Sequence, residues 1–458
     1  MISSSTISEL KRIVGSHNIF TEKDRLKDYS TDASSLQYMP EIVIFPEDES
    51  QISRIMKLAN SYRFPVYPWG AGTGTTGGAL PVSGGVVISL KRLDKILRID
   101  PVDMIAEVQP GVITSELQRE AEKIGLFYPP DPASSHISTI GGNVAECAGG
   151  LRAVKYGVTK DYVLGLRVVL PTGEIIRTGA ETKKGVVGYD LTKLIVGSEG
   201  TLAIITSILV KLIPKPPYWA SILLHFKDKT GAIECALNII KCKIIPTTLE
   251  FMDSLSIRAV KISHPYLFKG EIHSLLLIEL DGRRAEVEED VAKIVDIGKK
   301  DGVESIKIAR REEDIGHIWE ARRGLSHSLY NLRPHKISHD VVVPSSKIKE
   351  LMHFLETLMD RYSLPIASFG HIGDGNIHVN LMHNKDDKKE VEKVEKIVLR
   401  LFKKIIDLGG TISGEHGIGI TKAPYIDIEL SEHTIELMMR IKRAFDPNGI
   451  LNPGKIFL

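Results

Sequence analysis

The sequence predicts an α+β protein of two domains, on three observations. Short β-branched runs alternate with turns and a few helical stretches from Ile42 to about Pro216. A rigid Pro214, Pro216, Pro217 segment then interrupts the chain. Beyond it a second series of strands is separated by helices, as in another α+β sheet. The length of 458 residues agrees, since domains of about 150 residues give roughly two to three.

Met1–Ser16 reads as an amphipathic helix rather than a signal peptide. Thr6 and Glu9 form its capping box, Leu10, Ile13 and Val14 share a face, and Gly15 stops it. Strands follow at Ile42–Phe45, Pro65–Tyr67, Gly85–Leu90, Ala106–Gln109 and Leu166–Leu170. Ser50–Asn60 carries Ile52, Ile55, Met56 and Ala59 at helical spacing, and Thr114–Gly125 runs from a capping threonine to a glycine. Pro171, Thr172 and Gly173 turn the chain between Arg167–Leu170 and Glu174–Arg177. Past the prolines, Ser221–Phe226, Thr247–Phe251, Leu275–Leu280 and Ser305–Ile308 read as strands, with helices at Ala232–Ile240 and Ala285–Ile297. Helix Lys388–Leu408, a glycine-rich loop at Thr411–Ile420 and helix Ser431–Phe445 end the chain.

Composition narrows the function. With 43% hydrophobic and 26% charged residues the chain is neither disordered nor collagen-like. Lys+Arg 59 against Asp+Glu 58 gives a net charge of +1, with no electrostatic case for nucleic acid. Cys147, Cys235 and Cys242 are an odd number without a CxxC pair, so no disulfide framework or thiolate metal site is encoded, and a cytoplasmic setting fits best. No apolar run reaches the ~20 residues that span a bilayer, while attachment to the inner face of a membrane remains compatible.

Glycine-rich loops carry the chemistry. Pro68-Trp69-Gly70-Ala71-Gly72-Thr73-Gly74-Thr75-Thr76-Gly77-Gly78 follows a strand and formally contains GxGxxG, yet no helix opens after it and no Gly-Lys-Ser/Thr is present. What remains is a dense run of backbone N–H groups able to wrap an anion as a nest. Alone, such a loop is more often structural. Here it is joined by Pro129–Ser135, by Ser138–Glu146 with Gly149 and Gly150, by Lys155-Tyr156-Gly157 and by Val196–Leu202, which together can line one long cofactor.

These loops, in this order, resemble the PCMH-type FAD-binding domain of the vanillyl-alcohol-oxidase superfamily. The likeness is greatest to its FAD-linked D-lactate dehydrogenase and glycolate-oxidase FAD-subunit branch, and runs from about Asp28 to Lys455. The resemblance implies a PCMH-type domain of two α+β subdomains over residues 1–216, an α+β, ferredoxin-like cap over 217–409, and a 410–458 segment returning to the FAD domain. It implies FAD held by Pro68, Gly70, Ala71, Gly72, Thr73, Gly74 and Thr75 around the pyrophosphate. Ser138, Thr139, Gly141, Gly142, Asn143, Ala145 and Glu146 would contact the flavin and ribityl chain, and Pro132, Gly149, Tyr156 and Gly157 are further expected FAD-binding residues. Gly200, Thr201 and the strand at Ile204–Ile205 would border the adenosine half, Glu199 is a further expected FAD-binding residue, and Asn452, also expected at the cofactor, belongs to the C-terminal signature Asn452-Pro453-Gly454-Lys455. Cys147 is the nearest thiol and reads as a small buried hydrophobe, so the flavin is expected to be non-covalent.

Phe369–Asn380 reads as a hairpin around the four-residue turn Gly373–Asn376, pairing Ile372 with Ile377 and His371 with His378. Both imidazoles then share a face with Cβ atoms ~5 Å apart, which suits two ligands of one metal, and Glu415 in Ser413–Gly419 can add a carboxylate. In the family, residues matching His371, His378 and Glu415 bind a divalent metal, commonly zinc, and the match to His416 is the base. Arg322, in Trp319–Arg323, is implied as the partner of a substrate carboxylate; the plain alternative is a solvated helix face. His339, in His339–Pro344, matches a segment near the substrate, although a histidine there departs from the family pattern. Asn376 is placed to hydrogen-bond substrate, and as a turn residue is equally explained by backbone geometry.

The expected activity is oxidation of a D-2-hydroxy acid to the 2-oxo acid, with D-lactate first, then glycolate or D-2-hydroxyglutarate. A quinone, an electron-transferring flavoprotein, a cytochrome or an iron–sulfur subunit would each suit as acceptor, and NAD is disfavoured by the missing Rossmann helix. A homodimer is compatible. Two rivals remain: a non-catalytic flavin-fold subunit of an electron-transfer complex, which would not need the histidines, and a nucleotide-sugar reductase, whose relatives lack this hairpin and cap.

Overall fold

The computed structural model describes residues 2–265, 271–314 and 316–457. The chain divides into two units, one made of Met1–Gly149, Val158–Lys215 and Glu415–Leu458, the other of Gly150–Gly157 and Pro216–Gly414. Gly150–Gly157 thus belongs to the second unit, and the last crossing lies at Gly414 rather than near residue 409.

In the first unit, β1 (Ile19–Phe20), β2 (Ile42–Ile44), β3 (Val66–Trp69) and β4 (Val86–Ser89) form a sheet in the order β1-β2-β4-β3. It is parallel except for β1. β2 and β4 are β-branched runs buried on both faces, which explains their lack of polar alternation. Leu10, Ile52, Ile55 and Met56 of helices Ser4–Val14 and Glu49–Tyr62 pack with Ile42, Ile44, Val86 and Ile88. Tyr29, Trp69 and Leu80 pack with Val43 and Val87. The other strands are β5 (Ile96–Asp100), β6 (Ile105–Val108), β7 (Leu126–Phe127), β8 (Val163–Val169), β9 (Ile175–Gly179), β10 (Ile204–Lys211) and β11 (Ile213–Pro214). Five of them form an antiparallel sheet, β5-β6-β10-β8-β9, and β7 pairs with β11.

Two caps differ from expectation. The first helix is capped by Ser3, whose hydroxyl accepts from the Thr6 N–H at 3.2 Å; Thr6 itself is buried within the first turn. Thr114 is the first helical residue rather than the cap, because its hydroxyl is drawn to the Ser138 carbonyl (3.0 Å) and to Asn143 Nδ2 (2.7 Å).

The second unit is built on seven antiparallel strands: β12 (Tyr218–Phe226), β13 (Thr248–Asp253), β14 (Ser274–Gly282), β15 (Val303–Ala309), β16 (His335–Val342), β17 (Ile366–His371) and β18 (Asn376–His383). Their order is β15-β12-β14-β13-β17-β18-β16. Helices Ser254–Ser263 and Gly316–Ser328 cover one face, where Ile257, Val260, Ile318 and Leu325 pack on Leu223, Leu277, Met252 and Phe369. The other face meets helices including Arg284–Lys300 and Lys388–Asp407, through contacts such as Leu224 at Gly298 and His339 on Phe402. No helix among the described residues is long and apolar enough to cross a membrane.

Candidate functional site

The sheet face covered by helices Ser254–Ser263 and Gly316–Ser328 carries a row of polar side chains where apolar ones would be expected. Cross-strand register sets Glu250 of β13 opposite His371 of β17, and His371 opposite Asn376 of β18. One row further, Phe369 lies opposite His378, and His378 opposite Asp340 of β16. Strand periodicity puts all of these side chains on one face. They are buried, with Glu250 and Asp340 fully so and His371 and His378 6% and 7% exposed. The hairpin register differs by two residues from the expected one, because the loop is Ile372–Gly375 and β18 begins at Asn376. Gly375 permits that loop: its φ is +83°, and a Cβ there would lie 2.0 Å from the Val343 carbonyl oxygen. A two-residue shift preserves the face, so the imidazoles still meet, with ring centroids 5.2 Å apart and planes at 84°.

Glu250, which the sequence reading missed, organises this row. One oxygen bonds His371 Nδ1 at 2.5 Å, and the other accepts from Arg322 Nε at 2.7 Å and pairs with the same guanidinium through its Nη2. Burial drives the carboxyl upward, but Arg322 and His371 outweigh it and bring it down to about 2. With Nδ1 engaged, His371 keeps Nε2 as its remaining ligand atom, so two imidazoles on one face fit a borderline metal such as zinc. The only sequence signal was a lone carboxylate inside the buried run Thr248–Met252.

Arg322 is not on a solvated face. It is 5% exposed, with its guanidinium 4.8 Å from the Phe369 ring centroid. Its neighbour Arg323 is the exposed one. His339 departs from its expected place. It pairs with Val379 and points to the opposite face, where its ring meets Phe402 edge-on at 4.8 Å. Alternation gives Asp340, not His339, to the histidine face, and Asp340 accepts the Gly414 N–H at 2.9 Å through Oδ2. Asn376 donates to the Val341 carbonyl at 3.3 Å, and its Oδ1 is buried with no hydrogen-bond partner among the described residues. Tyr156 donates its hydroxyl to both oxygens of Asp281 (2.9 and 3.0 Å), and Gly157 follows it in the second unit.

In the first unit the glycine-rich loop runs from β3 past Pro68. The carbonyls of Gly74, Thr76, Gly77 and Gly78 accept protein hydrogen bonds, whereas the N–H groups of Ala71, Gly72, Thr73, Gly74, Thr75 and Thr76 donate to no described residue. Free N–H groups on a side-chain-poor, half-exposed loop fit a phosphate-bearing cofactor. Gly70 abuts the next predicted segment, since a Cβ there would lie 2.7 Å from Thr139 Oγ1. Thr139 caps the short helix Ile140–Glu146, which contains Gly141, Gly142, Asn143 and Ala145. Ser138 and Asn143 spend their side chains on Thr114. Pro132 sits in the turn closed by the Ser135 N–H, and Ile205 lies buried in β10 opposite Val168.

Glu199 faces protein rather than open space. Its oxygens accept the Ile418 and Gly419 N–H groups, both at 2.7 Å, and burial pushes its carboxyl up against them. Glu146 packs beside it, its oxygens where Cβ atoms on Gly78 and Gly417 would fall. Asn452 bridges the Gly78 and Glu199 carbonyls through Nδ2, at 2.9 and 2.6 Å, and Gly200 packs on Pro68. Glu415 lies against Gly149, and His416 Nε2 is 3.6 Å from Glu415 Oε1. Cys147 is half-buried at φ 55°, with burial raising its thiol.

Comparison with known proteins finds two family matches, the second of which begins in the Pro214–Pro217 segment and also takes in the C-terminal residues that belong to the first unit. Residues 40–179 match the family described as FAD binding domain, and residues 215–456 match that described as FAD linked oxidases, C-terminal domain. The chain is 44% identical to the glycolate oxidase subunit GlcD of Bacillus subtilis (strain 168) over 458 residues, covering 100% of this chain and 97% of that one. It is 37% identical to a D-lactate dehydrogenase of Anaerostipes hadrus over 425 residues, covering 91% and 89%. The solved structure of p-cresol methylhydroxylase with substrate bound superposes with a TM-score of 0.83 at 20% identity, over 99% of this chain and 97% of that one, a likeness of fold. The chain therefore belongs to the FAD-linked oxidases, with a PCMH-type FAD-binding domain in its first unit.

Proposed function

We propose that this chain oxidises a D-2-hydroxy acid to the 2-oxo acid on non-covalently bound FAD, with D-lactate the first candidate and glycolate or D-2-hydroxyglutarate next. The observation that carries the proposal is the buried imidazole pair His371 and His378, with Glu250 holding His371 from behind. The relatives named for glycolate and D-lactate support the substrate class.

A divalent metal, zinc first, would be held by His371, His378 and Glu415. Glu415 follows Gly414, and Gly414 is anchored in the second unit by the carbonyl and carboxylate of Asp340 and by close approach to Asn376. Bound FAD supplies a hydride acceptor for the substrate Cα–H, and a bound metal supplies the Lewis acidity that lowers the pKa of the hydroxyl. His416 takes the hydroxyl proton as general base. Arg322 pairs with the substrate carboxylate; Glu250 takes one edge of a guanidinium that has five N–H donors, so donors remain. The unpartnered Oδ1 of Asn376 accepts from the substrate. Electrons leave to a quinone, an electron-transferring flavoprotein, a cytochrome or an iron–sulfur subunit.

The test is anaerobic reduction of the purified yellow protein, followed by flavin absorbance, with D-lactate, L-lactate, glycolate and D-2-hydroxyglutarate, before and after chelation. Bleaching by a D-acid or glycolate that chelation abolishes is the expected result. A loaded flavin that none of them bleaches with metal present would refute the proposal.

A further inference from the structure

We infer that Glu250 is a positioning residue with two clients, presenting His371 to the metal and Arg322 to the substrate carboxylate from a single buried carboxylate. The inference rests on the roles proposed above for those two residues. Glu250 is fully buried, and a lone carboxylate there would be strongly unfavourable. Neutralising it needs one cation, and Arg322 supplies that. The bond to His371 is additional, and its geometry has a chemical consequence. An ionised carboxylate only accepts, so Nδ1 of His371 carries a proton, and in the neutral ring Nε2 is then the lone-pair nitrogen. The ring is thereby fixed in the tautomer and orientation that a metal ligand requires.

Arg322 is held just as firmly. Its Nε edge is on Glu250 and its plane lies over Phe369, so the direction of its remaining donors is set before any substrate arrives. The two clients reach Glu250 from different elements, Arg322 from helix Gly316–Ser328 and His371 from the neighbouring strand β17. One carboxylate thus sets the spacing between a metal ligand and a carboxylate-binding group.

The experiment uses the full-length, FAD-loaded chain in four forms: wild type, Glu250→Gln, Glu250→Gln/Arg322→Gln and His371→Gln. Each is stripped by a chelator and titrated with Zn²⁺ against a competing chelator, while flavin absorbance and the melting transition report integrity. Glu250→Gln should bind Zn²⁺ about 10–100-fold more weakly with its flavin retained. Its KM for the hydroxy acid should rise as well. The double variant removes the buried cation that a lone Glu250→Gln strands, and should show the same loss of Zn²⁺ affinity even where the single variant folds poorly. Wild-type Zn²⁺ affinity in a folded Glu250→Gln, or in the double variant, overturns the inference. A wild type that takes up no Zn²⁺ would instead refute the metal reading. In that case ¹⁵N-histidine spectra decide on Glu250, with His371 assigned by its absence in His371→Gln. An Nδ1–H tautomer of His371 in the wild type supports positioning, and an Nε2–H tautomer there overturns it.

Discussion

Thr76 donates its hydroxyl to the carbonyl of His416 at 3.1 Å. The same threonine's carbonyl accepts the Ile420 and Thr421 N–H groups (2.8 and 3.2 Å), while Glu199 takes those of Ile418 and Gly419. The loop that carries Glu415 and His416 is therefore pinned on the glycine-rich loop that we assign to the cofactor. Gly419 makes the approach possible: a Cβ there would lie 2.2 Å from the Thr76 carbonyl oxygen.

Glu199→Ala leaves two of those N–H groups without their acceptor, at about 1–3 kcal/mol each where they stay buried. The expected outcome is faster amide exchange confined to residues 415–421 and a fall in kcat larger than any change in KM. Hydrogen-exchange mass spectrometry checks it, and unchanged exchange in that loop would remove Glu199 from its anchoring role.

His416→Ala should lower turnover by about 10²–10⁴-fold, the usual range for a general base. Flavin content should stay near wild type, because the loop's anchors are its backbone carbonyl and N–H groups rather than the imidazole. Single-turnover flavin reduction measures the chemical step directly. A near-normal reduction rate would end the assignment of His416 as base.

Local pattern was enough to reveal the His371 and His378 pair and the glycine loops. The expected pairing of His371 with His378 was two residues out, yet a strand's period of two forgives even shifts, so the shared face survived. His339 shows the opposite case. An odd offset from His378's cross-strand partner Asp340 sends it to Phe402, and nothing in the sequence fixes that parity without the pairing of β16 with β18. Glu250 was beyond reach for another reason, since it lies 121 residues from His371 and its meaning depends on which strand becomes its neighbour. The helix caps failed more locally: Ser3 and Thr6 both suit an N-cap, and tertiary burial of Thr6 decided between them.

Gly72→Val should abolish flavin loading. Gly72 has φ +69°, a region costly for a β-branched residue, and a Cβ there would lie 2.6 Å from Cζ2 of Trp69. Trp69 cannot yield easily, being 2% exposed and packed edge-on against Tyr29 at 5.3 Å. The loop must then move, and the spacing of its unpartnered N–H groups is lost with it. Absorbance of the purified variant gives the flavin-to-protein ratio. A fully loaded yellow protein would contradict the role assigned to this loop.

His378→Ala should remove metal and activity together while sparing the fold. His378 lies opposite Phe369 and Asp340 on a buried face, so truncation leaves a cavity, and a loss of stability of a few kcal/mol is expected in addition to the lost ligand. The flavin loop belongs to the other unit and has its own core, so flavin content should be spared. The prediction is checked by metal analysis and flavin absorbance on the same sample. Loss of metal with retained flavin and absent turnover is the expected triad. Adding Zn²⁺ in excess should restore little, because His371 alone, even oriented by Glu250, supplies only one of the two imidazoles. A variant that retains stoichiometric metal would show that the ligands lie elsewhere. One that turns over normally without metal would show that proton removal at this site needs no Lewis acid, leaving His416 and Arg322 to carry the chemistry.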